Sequence, residues 1–365
     1  MAAQPLYLGW FNPVRVHWGA GSFQSLTADG PVVVLADRAA LSYEDETSLV
    51  DRLGAQCKAW SWFRGGLASV ELAQNLCEEL WPAMQDPQTT VIAIGGGSTL
   101  DFAKVLRYRM SDSSTAAKCW RRNIIPDGTQ RHPTTLVPTT AGTGSEVTRW
   151  ATLWDTRVDE PVKLSWSPLN GFAEQAYVDP ALTLSCPVRL TRDCALDTLA
   201  HALESLWNRN STPVSEALAL EAARLVLSTL PALLQQPRDL DARIALSHAS
   251  LLAGMAMSQT QTALAHALSY ELTLQEGVPH GEACAVWLPM VWELAVQADG
   301  GCNAALERVF GGSAAEGAAH LRSWLRKLDV QTRDLRDTPQ GLALLDIEMR
   351  SARGRNFIAS HSLHG

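Results

Sequence analysis

Three features that would place a protein in a specialised class are missing from this sequence. Its seven cysteines never occur as a CxxC pair, which disfavours a zinc knuckle or a disulfide framework and is typical of reduced thiols. The net charge is -8 and no cluster of cations is present, so nucleic acid is not an expected partner. The first residues contain no basic segment followed by an apolar one, and we expect no apolar run of membrane-spanning length. These absences predict a cytoplasmic protein that acts on a small molecule, with no membrane partner.

What the sequence does contain is typical of a globular protein with two domains. Its 365 residues are 46% hydrophobic and 19% charged, which is enough for a sizeable core. The apolar runs 31–37 and 89–97 end in Asp or Gly, as buried parallel strands do, and 134–140 has the pattern of a further strand. Helical patterns at 69–81 and 98–110 follow these runs. The alternation predicts a doubly wound, Rossmann-like parallel sheet with right-handed crossovers.

The second half of the sequence has a different pattern, because strand signals disappear after about residue 185. Thr212 before Pro213 predicts a helix start, with an N-cap residue followed by proline at the first helical position. We predict an α/β nucleotide-binding domain over residues 1–185 and an all-helical domain over 186–365. The helical patterns of this second domain cover 192–207, 213–234, 242–259 and 303–352.

Two polar residues in the first of these helical patterns are unusual for a buried helix. Asp197 and His201 are four residues apart, which places them on one face of a helix, one turn apart. The residues around them are almost all apolar, and a buried carboxylate or imidazole is costly unless something pairs with it. An Asp–His hydrogen bond would meet this requirement, and so would a shared metal ion.

Two further histidines favour the metal ion. His266 lies in another apolar helical pattern, and His280 lies between proline and glycine at an expected loop-to-helix junction. Together with Asp197 and His201 they form a complete ligand set for a divalent transition metal. Imidazole and carboxylate ligands without thiolate suit Fe(II) or Zn(II), and the spacing alone does not choose between these metals. We therefore predict that the helical domain binds a metal.

Two glycine-rich loops of the first domain are candidates for binding a dinucleotide. The GGGS segment at 95–98 lies between a strand and a helix, where the backbone can approach a phosphate and helix N–H groups can bind it. The PTTAGTGSEVT segment at 138–148 could surround a pyrophosphate or a nicotinamide ribose. The predicted cofactor contacts in these loops are Gly95, Gly96, Gly97, Ser98, Asp101, Thr139, Thr140, Gly142, Thr143 and Ser145.

The choice between NAD(H) and NADP(H) depends on the end of an earlier strand. Asp37 is positioned to accept a hydrogen bond from a ribose 2′-hydroxyl, as an acid after a strand does in dinucleotide sites. An ordinary helix cap is the alternative role for Asp37. Arg38 could instead receive a 2′-phosphate, so both cofactors stay open.

The motifs at these positions jointly resemble the iron-containing (group III) alcohol dehydrogenase family, from near the start of the chain to about residue 290. His266 and His280 are separated by the interval that the family uses for its third and fourth metal ligands. The resemblance implies a Rossmann-like domain followed by a helical one, iron held by the four residues named above, and a homodimer. The motifs are FNPVRVHWGAGS, GGGSTLDFAK, PTTAGTGSE, YVDPALTLSCP, DTLAHALES and HALSYEL followed by VPHG.

Within that family, HALSYEL with GVPHG, and ALESLWNRNSTP, resemble the phosphonoacetaldehyde reductase branch, which reduces phosphonoacetaldehyde to 2-hydroxyethylphosphonate. Many members have a histidine four residues after the third ligand, where this sequence has Tyr270, a candidate hydrogen-bond donor or proton relay in catalysis. A phosphonate needs cationic partners, for which Arg149 and Lys163 are candidates, and Lys163 is with Tyr270 a candidate catalytic residue. Asn210 is a candidate substrate contact or a helix-end cap.

The reaction that the resemblance implies is reduction of an aldehyde, in which the metal acts as a Lewis acid and the nicotinamide supplies hydride. Short-chain alcohols, diols and a keto-phosphonate are alternative substrates. Two other classes compete: a metal- and NAD-dependent lyase or cyclase resembling dehydroquinate synthase, and a non-catalytic protein that inherited the fold. The lyase relatives lack PTTAGTGSE together with this ligand set, and a non-catalytic relative is expected to have lost ligands, whereas all four are present.

Overall fold

A computed structural model describes residues 9–157, 162–298 and 301–360 of the protein. These residues divide into two units. The α/β unit consists of Pro13–Val188 and Gln236–Ser247. The helical unit consists of 9–12, Arg189–Gln235 and the described residues from His248 onward. The domain boundary predicted at residue 185 stays a prediction.

The α/β unit is built on a parallel sheet. Six strands form it in the order β1-β10-β7-β4-β2-β3, and every neighbouring pair is parallel. Two short antiparallel pairs, β5 with β6 and β8 with β9, lie outside it. This confirms the predicted Rossmann-like fold class. The strands in the described part of the chain are β1 Arg15–Trp18, β2 Val32–Asp37, β3 Cys57–Phe63, β4 Thr90–Gly95, β5 Tyr108–Arg109, β6 Gln130–Arg131, β7 Thr134–Pro138, β8 Ala151–Asp155, β9 Val162–Trp166 and β10 Gln175–Val178.

The inner strands are continuous apolar runs because both faces of the sheet are covered. In β2, Val33 and Leu35 belong to one core cluster, whereas Val32, Val34 and Ala36 belong to another. Successive side chains of a strand point to opposite faces, so a strand buried on both faces needs apolar residues at every position.

The register of the inner strands brings three chain segments to one edge of the sheet. Ala36 of β2 pairs with Ile94 of β4, and Gly95 at the end of β4 pairs with Pro138 at the end of β7. Asp37 and the two predicted glycine loops follow directly after these positions. The carboxyl edge of a doubly wound sheet is where such folds bind their ligands.

The remaining regular elements of the described chain are helices. Thr212 caps α6 as predicted, since its Oγ1 accepts a hydrogen bond from Ser215 N over 3.1 Å. The helices in the described part of the chain are α1 Tyr43–Leu53, α2 Val70–Leu80, α3 Gly97–Leu106, α4 Ser113–Arg122, α5 Val188–Leu206, α6 Pro213–Gln235, α7 Leu240–Thr260, α8 Leu264–Gln275, α9 His280–Gln297, α10 Asn303–Phe310, α11 Ala314–Arg326 and α12 Pro339–Arg350.

Helix α6 corrects the expectation that no apolar stretch reaches the length of a membrane span. By length and composition alone its 23 residues would suffice to cross one, as would those of many core helices of soluble proteins. Its buried residues Ala219, Val226 and Leu230 recur at helical spacing, so they form one face of the helix. Arg224 on α6 donates a hydrogen bond from Nε to Arg308 O of α10 over 3.0 Å. The apolar composition of α6 therefore has an explanation in packing within the helical unit.

Candidate metal and nucleotide sites

Helix α5 carries the first two predicted metal ligands. Asp197 and His201 are both buried, one turn apart, with 3.6 Å between His201 Nε2 and Asp197 Oδ1. Apolar residues from Ala195 to Leu206 are buried on either side of them. The carboxylate of Asp197 therefore lies in an interior where its charge needs a partner.

Helices α8 and α9 bring the other two predicted ligands to the same carboxylate. His266 is buried in α8, and its Nε2 atom lies 3.3 Å from Asp197 Oδ1. His280 is the first residue of α9, and its Nε2 atom lies 3.9 Å from the same oxygen. The ring of His266 stacks on that of His201, with 4.7 Å between the ring centroids. The structure thus brings all four predicted ligands together, while their role as ligands stays a prediction.

A glycine allows α9 to begin so close to α5. A Cβ atom on Gly281 would lie 2.0 Å from Asp193 O and 2.8 Å from Asp197 N, which is too close for any side chain. Asp193 also accepts a hydrogen bond from Glu282 N over 3.0 Å, and burial raises the pKa of Asp193 to about 6. The glycine after His280 is therefore needed to place this histidine beside Asp197.

Sequence reasoning missed Glu204, which orients His266. Glu204 is fully buried on α5, and its Oε2 atom accepts hydrogen bonds from His266 Nδ1 over 2.8 Å and from Ala263 N over 2.7 Å. Its Oε1 atom accepts from His266 N over 3.1 Å. Because Nδ1 is engaged by the carboxylate, Nε2 is the nitrogen of His266 that faces Asp197. The signal in the sequence that could have revealed Glu204 is its position one turn after His201 in an apolar helical pattern.

A thiol was also missed. Cys284 lies on α9 one turn after His280, and its Sγ atom lies in one group with ligand atoms of Asp197, His266 and His280, all within 4.8 Å of one another. Burial raises the pKa of Cys284, although His266 opposes this effect. Cys284 therefore lies beside the predicted ligands, and its i+4 spacing from His280 was the signal in the sequence.

The donor set fits a divalent cation. Asp197 Oδ1 and His266 Nε2 are buried, and neither makes a hydrogen bond of acceptable geometry within the described residues. Burial raises the pKa of Asp197, but the surrounding histidines, His201 foremost, lower it to far below its ordinary value. Burial lowers the pKa of His266, but Cys284 and Glu204 raise it well above its ordinary value. Carboxylate charge and imidazole lone pairs that meet at one buried point suit Fe(II) or Zn(II).

In the α/β unit, the two predicted nucleotide loops lie against each other. A Cβ atom on Gly97 would lie 2.7 Å from Thr143 Cγ2, so only glycine allows this approach. Thr139 N donates a hydrogen bond to Gly95 O over 3.0 Å, which joins the second loop to the end of β4. Gly142 lies in the same loop. Glycines at these points leave the backbone accessible at the sheet edge.

The start of α3 has the properties of an anion site. Gly96 is its N-cap and has no side chain that could accept a hydrogen bond from the first-turn N–H groups. Ser98 lies in this first turn, and Thr140 of the second loop lies 3.5 Å from a Cβ atom built on Gly96. A helix start of this kind suits a phosphate of a dinucleotide.

Two predicted cofactor contacts also form hydrogen bonds within the protein. Ser145 Oγ donates to Asp101 Oδ1 over 2.6 Å, and Thr152 N donates to Asp101 Oδ2 over 2.8 Å. The buried Lys104 donates from Nζ to Ser145 Oγ over 2.6 Å and to Trp150 O over 2.7 Å. The side chains of Asp101 and Ser145 therefore hold the second loop against α3, in addition to any contact with the cofactor.

Sequence reasoning also missed two ionisable residues beside the second loop. Lys104 and Glu146 are both buried. Burial raises the pKa of Glu146 to about 7, although the nearby Lys104 opposes this effect. Burial lowers the pKa of Lys104, although Asp101 and Glu146 oppose that effect. The available signal was two charged residues within otherwise buried segments.

Asp37 lies at the sheet edge but also forms a local turn. Its Oδ1 atom accepts a hydrogen bond from Ala39 N over 2.9 Å. Arg38 pairs with Glu46 at 2.9 Å and lies over the ring of Trp62, 4.6 Å from the centroid. Asp37 therefore closes a local turn and does not cap α1, whose N-cap is Ser42, and the ribose contact of Asp37 stays a prediction.

Of the two predicted catalytic residues, Tyr270 lies near the metal ligands and Lys163 does not belong to the same unit. Tyr270 is on α8, one turn after His266, and Arg353 lies 5.1 Å from the centroid of its ring. Lys163 is on β9, where its Nζ atom lies 5.8 Å from the ring centroid of Trp154 on the paired strand. Lys163 therefore lies in the hairpin that β8 and β9 form in the α/β unit.

The two predicted substrate contacts also lie in different units. Arg149 follows the second loop of the α/β unit, and its guanidinium lies 5.3 Å from the ring centroid of Trp150. Asn210 is in the helical unit, where its Nδ2 atom donates to Thr260 O over 3.2 Å and its N donates to Asn208 Oδ1 over 2.9 Å. Asn210 therefore closes the turn between α5 and α6, and its contact with substrate stays a prediction.

Comparison with known proteins identifies the family. Residues 13–180 match the model of the family described as iron-containing alcohol dehydrogenase. Residues 191–348 match the model described as Fe-containing alcohol dehydrogenase family, C-terminal. The two matches together cover most of the chain, and it belongs to the iron-containing alcohol dehydrogenase family.

Individual relatives differ in the substrate after which they are named. The chain is 38% identical over 202 residues to long-chain-alcohol dehydrogenase 1 of Geobacillus thermodenitrificans, covering 55% of this chain and 50% of that protein. It is 33% identical over 199 residues to a sulfoacetaldehyde reductase of Bilophila wadsworthia, covering 54% and 50%. These matches span about half the length of the curated relatives.

The fold matches over nearly the whole chain. The crystal structure of a sulfoacetaldehyde reductase of Bifidobacterium kashiwanohense in complex with NAD+ superimposes with a TM-score of 0.81. It covers 98% of this chain and 97% of that chain at 23% sequence identity. At this identity the likeness concerns the fold.

Proposed function

We propose that the protein is a metal-dependent aldehyde reductase, or alcohol dehydrogenase, that uses NAD(H) or NADP(H). The observation that carries this proposal is the buried carboxylate of Asp197 with three imidazoles around it. Asp197, His201, His266 and His280 would hold the ion, Fe(II) by family and Fe(II) or Zn(II) by ligand type. Membership of the iron-containing alcohol dehydrogenase family supports the same reaction class.

The residues around the ion would prepare the site for reduction. A bound ion would supply Lewis-acid stabilisation of the carbonyl oxygen while a nicotinamide supplies the hydride. Glu204 holds His266 in one orientation, and Asp197 keeps its negative charge because three histidines surround it. Tyr270, one turn from His266, is the candidate to deliver a proton from its hydroxyl.

The cofactor would bind to the α/β unit. The predicted contacts are those of the two glycine loops, with a phosphate at the start of α3. NADH is the favoured cofactor, because Arg38 already pairs with Glu46 and Trp62 and would have to leave both to receive a 2′-phosphate. The NAD+ bound to the Bifidobacterium reductase is consistent with this choice.

The substrate would be a short aldehyde that carries an anionic group, with phosphonoacetaldehyde reduced to 2-hydroxyethylphosphonate as the specific reaction. This choice is supported by the resemblance of HALSYEL, GVPHG and ALESLWNRNSTP to the phosphonoacetaldehyde reductase branch. Two of the similar proteins are named for sulfoacetaldehyde, which carries a sulfonate on a carbon skeleton of the same length. We also propose a homodimer located in the cytoplasm.

A second candidate is a general dehydrogenase of unsubstituted alcohols. It is favoured by the similarity to the long-chain-alcohol dehydrogenase of Geobacillus thermodenitrificans. The two candidates share the metal and the cofactor and differ only in whether the substrate carries a charge.

The test is oxidation of NADH and of NADPH by the Fe(II)-loaded and the Zn(II)-loaded protein. The substrates offered are phosphonoacetaldehyde, sulfoacetaldehyde, propionaldehyde and glycolaldehyde, and metal content is measured on the same samples. Preference for an anionic aldehyde, lost on chelation, is the expected result. Turnover of the uncharged aldehydes alone would leave the dehydrogenase and remove the anionic substrate. No turnover of any aldehyde by protein with full metal content would contradict the proposed function.

A further inference from the structure

The segment after α12 brings a cation to the helix that carries His266. Arg353 donates a hydrogen bond from Nε to Thr262 Oγ1 over 2.9 Å, just before α8 begins. Asn356 Nδ2 donates to Thr262 O over 2.9 Å and so ties the same segment to this point. The guanidinium of Arg353 lies 5.1 Å from the ring centroid of Tyr270, within the range of a cation–π contact. Two polar contacts and one aromatic contact therefore hold this region of the chain against α8.

In the part of the chain that the structure describes, Arg353 lacks the acidic partner that a guanidinium with little exposure normally has. Among the described residues it forms no ion pair, and its Nη1 and Nη2 atoms make no hydrogen bond. Burial lowers the pKa of Arg353, and the carboxylate of Glu204 offsets only part of this effect. The oxygens of Glu204 already accept hydrogen bonds from Ala263 and His266.

Another arginine of this chain, Arg107, has a buried guanidinium in which every nitrogen donates a hydrogen bond. Arg107 is fully buried, and its Nη2 atom donates to both carboxylate oxygens of Glu174 over 2.6 and 2.7 Å. Its other nitrogens donate to the carbonyl oxygens of His132 and Phe172. Compared with Arg107, Arg353 has two terminal nitrogens that remain available for an anion.

Two residues that interact with Arg353 are also linked to the predicted metal ligand His266. Tyr270, on which it stacks, lies one turn after His266 on α8. Glu204, whose charge acts on it, is the residue that orients His266. The sequence-based candidate Arg149 has no such relation within its own unit, where its described contact is the ring of Trp150.

We propose that Arg353 is a specificity-determining residue that binds the anionic group of the substrate, a phosphonate or a sulfonate. The planar guanidinium can donate two parallel hydrogen bonds to two oxygens of such a group, which a neutral side chain cannot do. This inference rests on the proposed function, since it concerns the end of the aldehyde opposite to the carbonyl. The C-terminal segment would thus select the substrate.

The first experiment measures binding and needs no turnover. Isothermal titration of the metal-loaded protein with 2-hydroxyethylphosphonate, and separately with isethionate, is carried out for the wild type and for R353M, R353K and R355M. Arg355 lies two residues away, is exposed and serves as the matched control. We expect R353M to lose about tenfold to hundredfold in affinity for at least one of the two anions. R353K should lose less than R353M, and R355M should match the wild type.

The second experiment measures kcat/KM for phosphonoacetaldehyde, sulfoacetaldehyde and propionaldehyde with the same proteins. The ratio of the anionic to the uncharged aldehyde should fall in R353M by about the factor lost in binding. An unchanged ratio with unchanged anion affinity would overturn the inference. An equal loss for all three aldehydes, with metal content also reduced, would likewise overturn it and assign Arg353 to support of α8.

The outcomes separate this inference from the proposed function. A wild type that binds the anions through Arg353 but reduces no aldehyde would refute the reductase and keep the anion site. A wild type that reduces propionaldehyde but binds neither anion would keep the reductase and refute the anion site. The phosphonate and the sulfonate are distinguished by which product binds more tightly and which aldehyde has the higher kcat/KM.

Discussion

Two regions of the molecule use buried polar groups in opposite ways: the two glycine loops, and the cluster of predicted metal ligands Asp197, His201, His266 and His280. In the loops, Lys104, Ser145 and Asp101 satisfy one another through hydrogen bonds of 2.6 Å. In the cluster, Asp197 Oδ1 and His266 Nε2 are buried without a hydrogen bond of acceptable geometry in the described part of the chain. A polar group that is already paired stabilises the local structure, whereas buried polar groups that converge without a partner favour a bound ligand.

The difference matches the kinds of ligand proposed for the two units. A dinucleotide would be bound largely by backbone N–H groups, so the side chains behind the loop serve to hold the backbone in place. A metal ion must be bound by side-chain lone pairs, so these cannot be engaged elsewhere. The comparison therefore predicts that substitutions among the predicted metal ligands abolish metal binding, while substitutions in the glycine loops weaken cofactor binding.

The largest effect is expected from removing a predicted metal ligand. H266A and D197A should lose bound metal and lower kcat/KM by about 1000-fold or more, because a Lewis acid contributes several kcal/mol to such a reaction. Metal content by mass spectrometry and turnover of the preferred aldehyde are measured together. H248A, on an exposed position of α7, is the control and should behave as the wild type. Full metal content and full turnover in H266A would show that the ligand assignment is wrong.

The next largest effect is expected at Glu204. E204Q keeps the size of the side chain but removes the charge that orients His266, so metal affinity should fall by about 10- to 100-fold. Competition with a chromophoric chelator measures the affinity. E216Q changes an exposed-face glutamate of α6 in the same way and should leave the affinity unchanged. Equal affinities of E204Q and the wild type would remove the orienting role.

A smaller effect is expected in the nucleotide loops. In G97A the new Cβ atom would lie 2.7 Å from Thr143 Cγ2, so the loops must separate. The strain of about 1 to 3 kcal/mol should appear mainly as weaker cofactor binding, by about tenfold, with metal content unchanged. Fluorescence titration with NADH measures this loss. G30A, where a Cβ atom would meet nothing within 4 Å, is the control, and equal NADH affinity in G97A would contradict the role of this contact.

The smallest effect on activity and binding is expected at Glu146, which changes the pH dependence of stability. Its pKa is raised by burial to about 7 in the folded protein, so the folded state binds a proton that the unfolded state releases near pH 4.5. Glu146 therefore reduces the free energy of unfolding as pH rises from about 4.5 to 7. E146Q removes this dependence, so its free energy of unfolding relative to the wild type should increase across that range by about 3 kcal/mol.

Urea unfolding of both proteins at several pH values provides the measurement. The sign is decisive: a difference that stays constant or shrinks as pH rises would refute the raised pKa. E46Q, at a partly exposed position of α1, is a control for loss of one carboxylate, and its difference from the wild type should not follow this profile.

Several elements were predictable because their pattern is local. The strands β2, β4 and β7 and the helices α2, α3, α5, α6 and α7 follow from apolar runs and helical periodicity within a few residues. Strand β3 was not predicted, because as an edge strand its sequence CKAWSWF mixes exposed and buried positions. The hairpin of β8 and β9 was also not predicted, and its alternation is interrupted by buried residues at successive positions of β8.

The site divides in the same way. Asp197 and His201 could be paired from their spacing, and His266 and His280 from apolar surroundings and from family resemblance. Glu204, Cys284 and Arg353 were not assigned, because each is distinguished by its contacts with residues on another element, and the signals in the sequence for the first two were weak. Arg353 is 83 residues from Tyr270 in the chain (353 minus 270), and no sequence pattern joins the two.

The sequence by itself predicted the class of fold, the four candidate metal ligands and the two glycine loops, since each depends on residue type, short-range spacing or family resemblance. Only the tertiary structure decided which buried groups are satisfied and which are not. It paired Asp101 with Ser145 and Glu204 with His266, and it placed beside α8 the guanidinium of Arg353, which has no acidic partner among the described residues. Hydrogen bonding and burial depend on elements brought together by folding, and these relations decide whether a polar residue supports the protein or is available to a ligand.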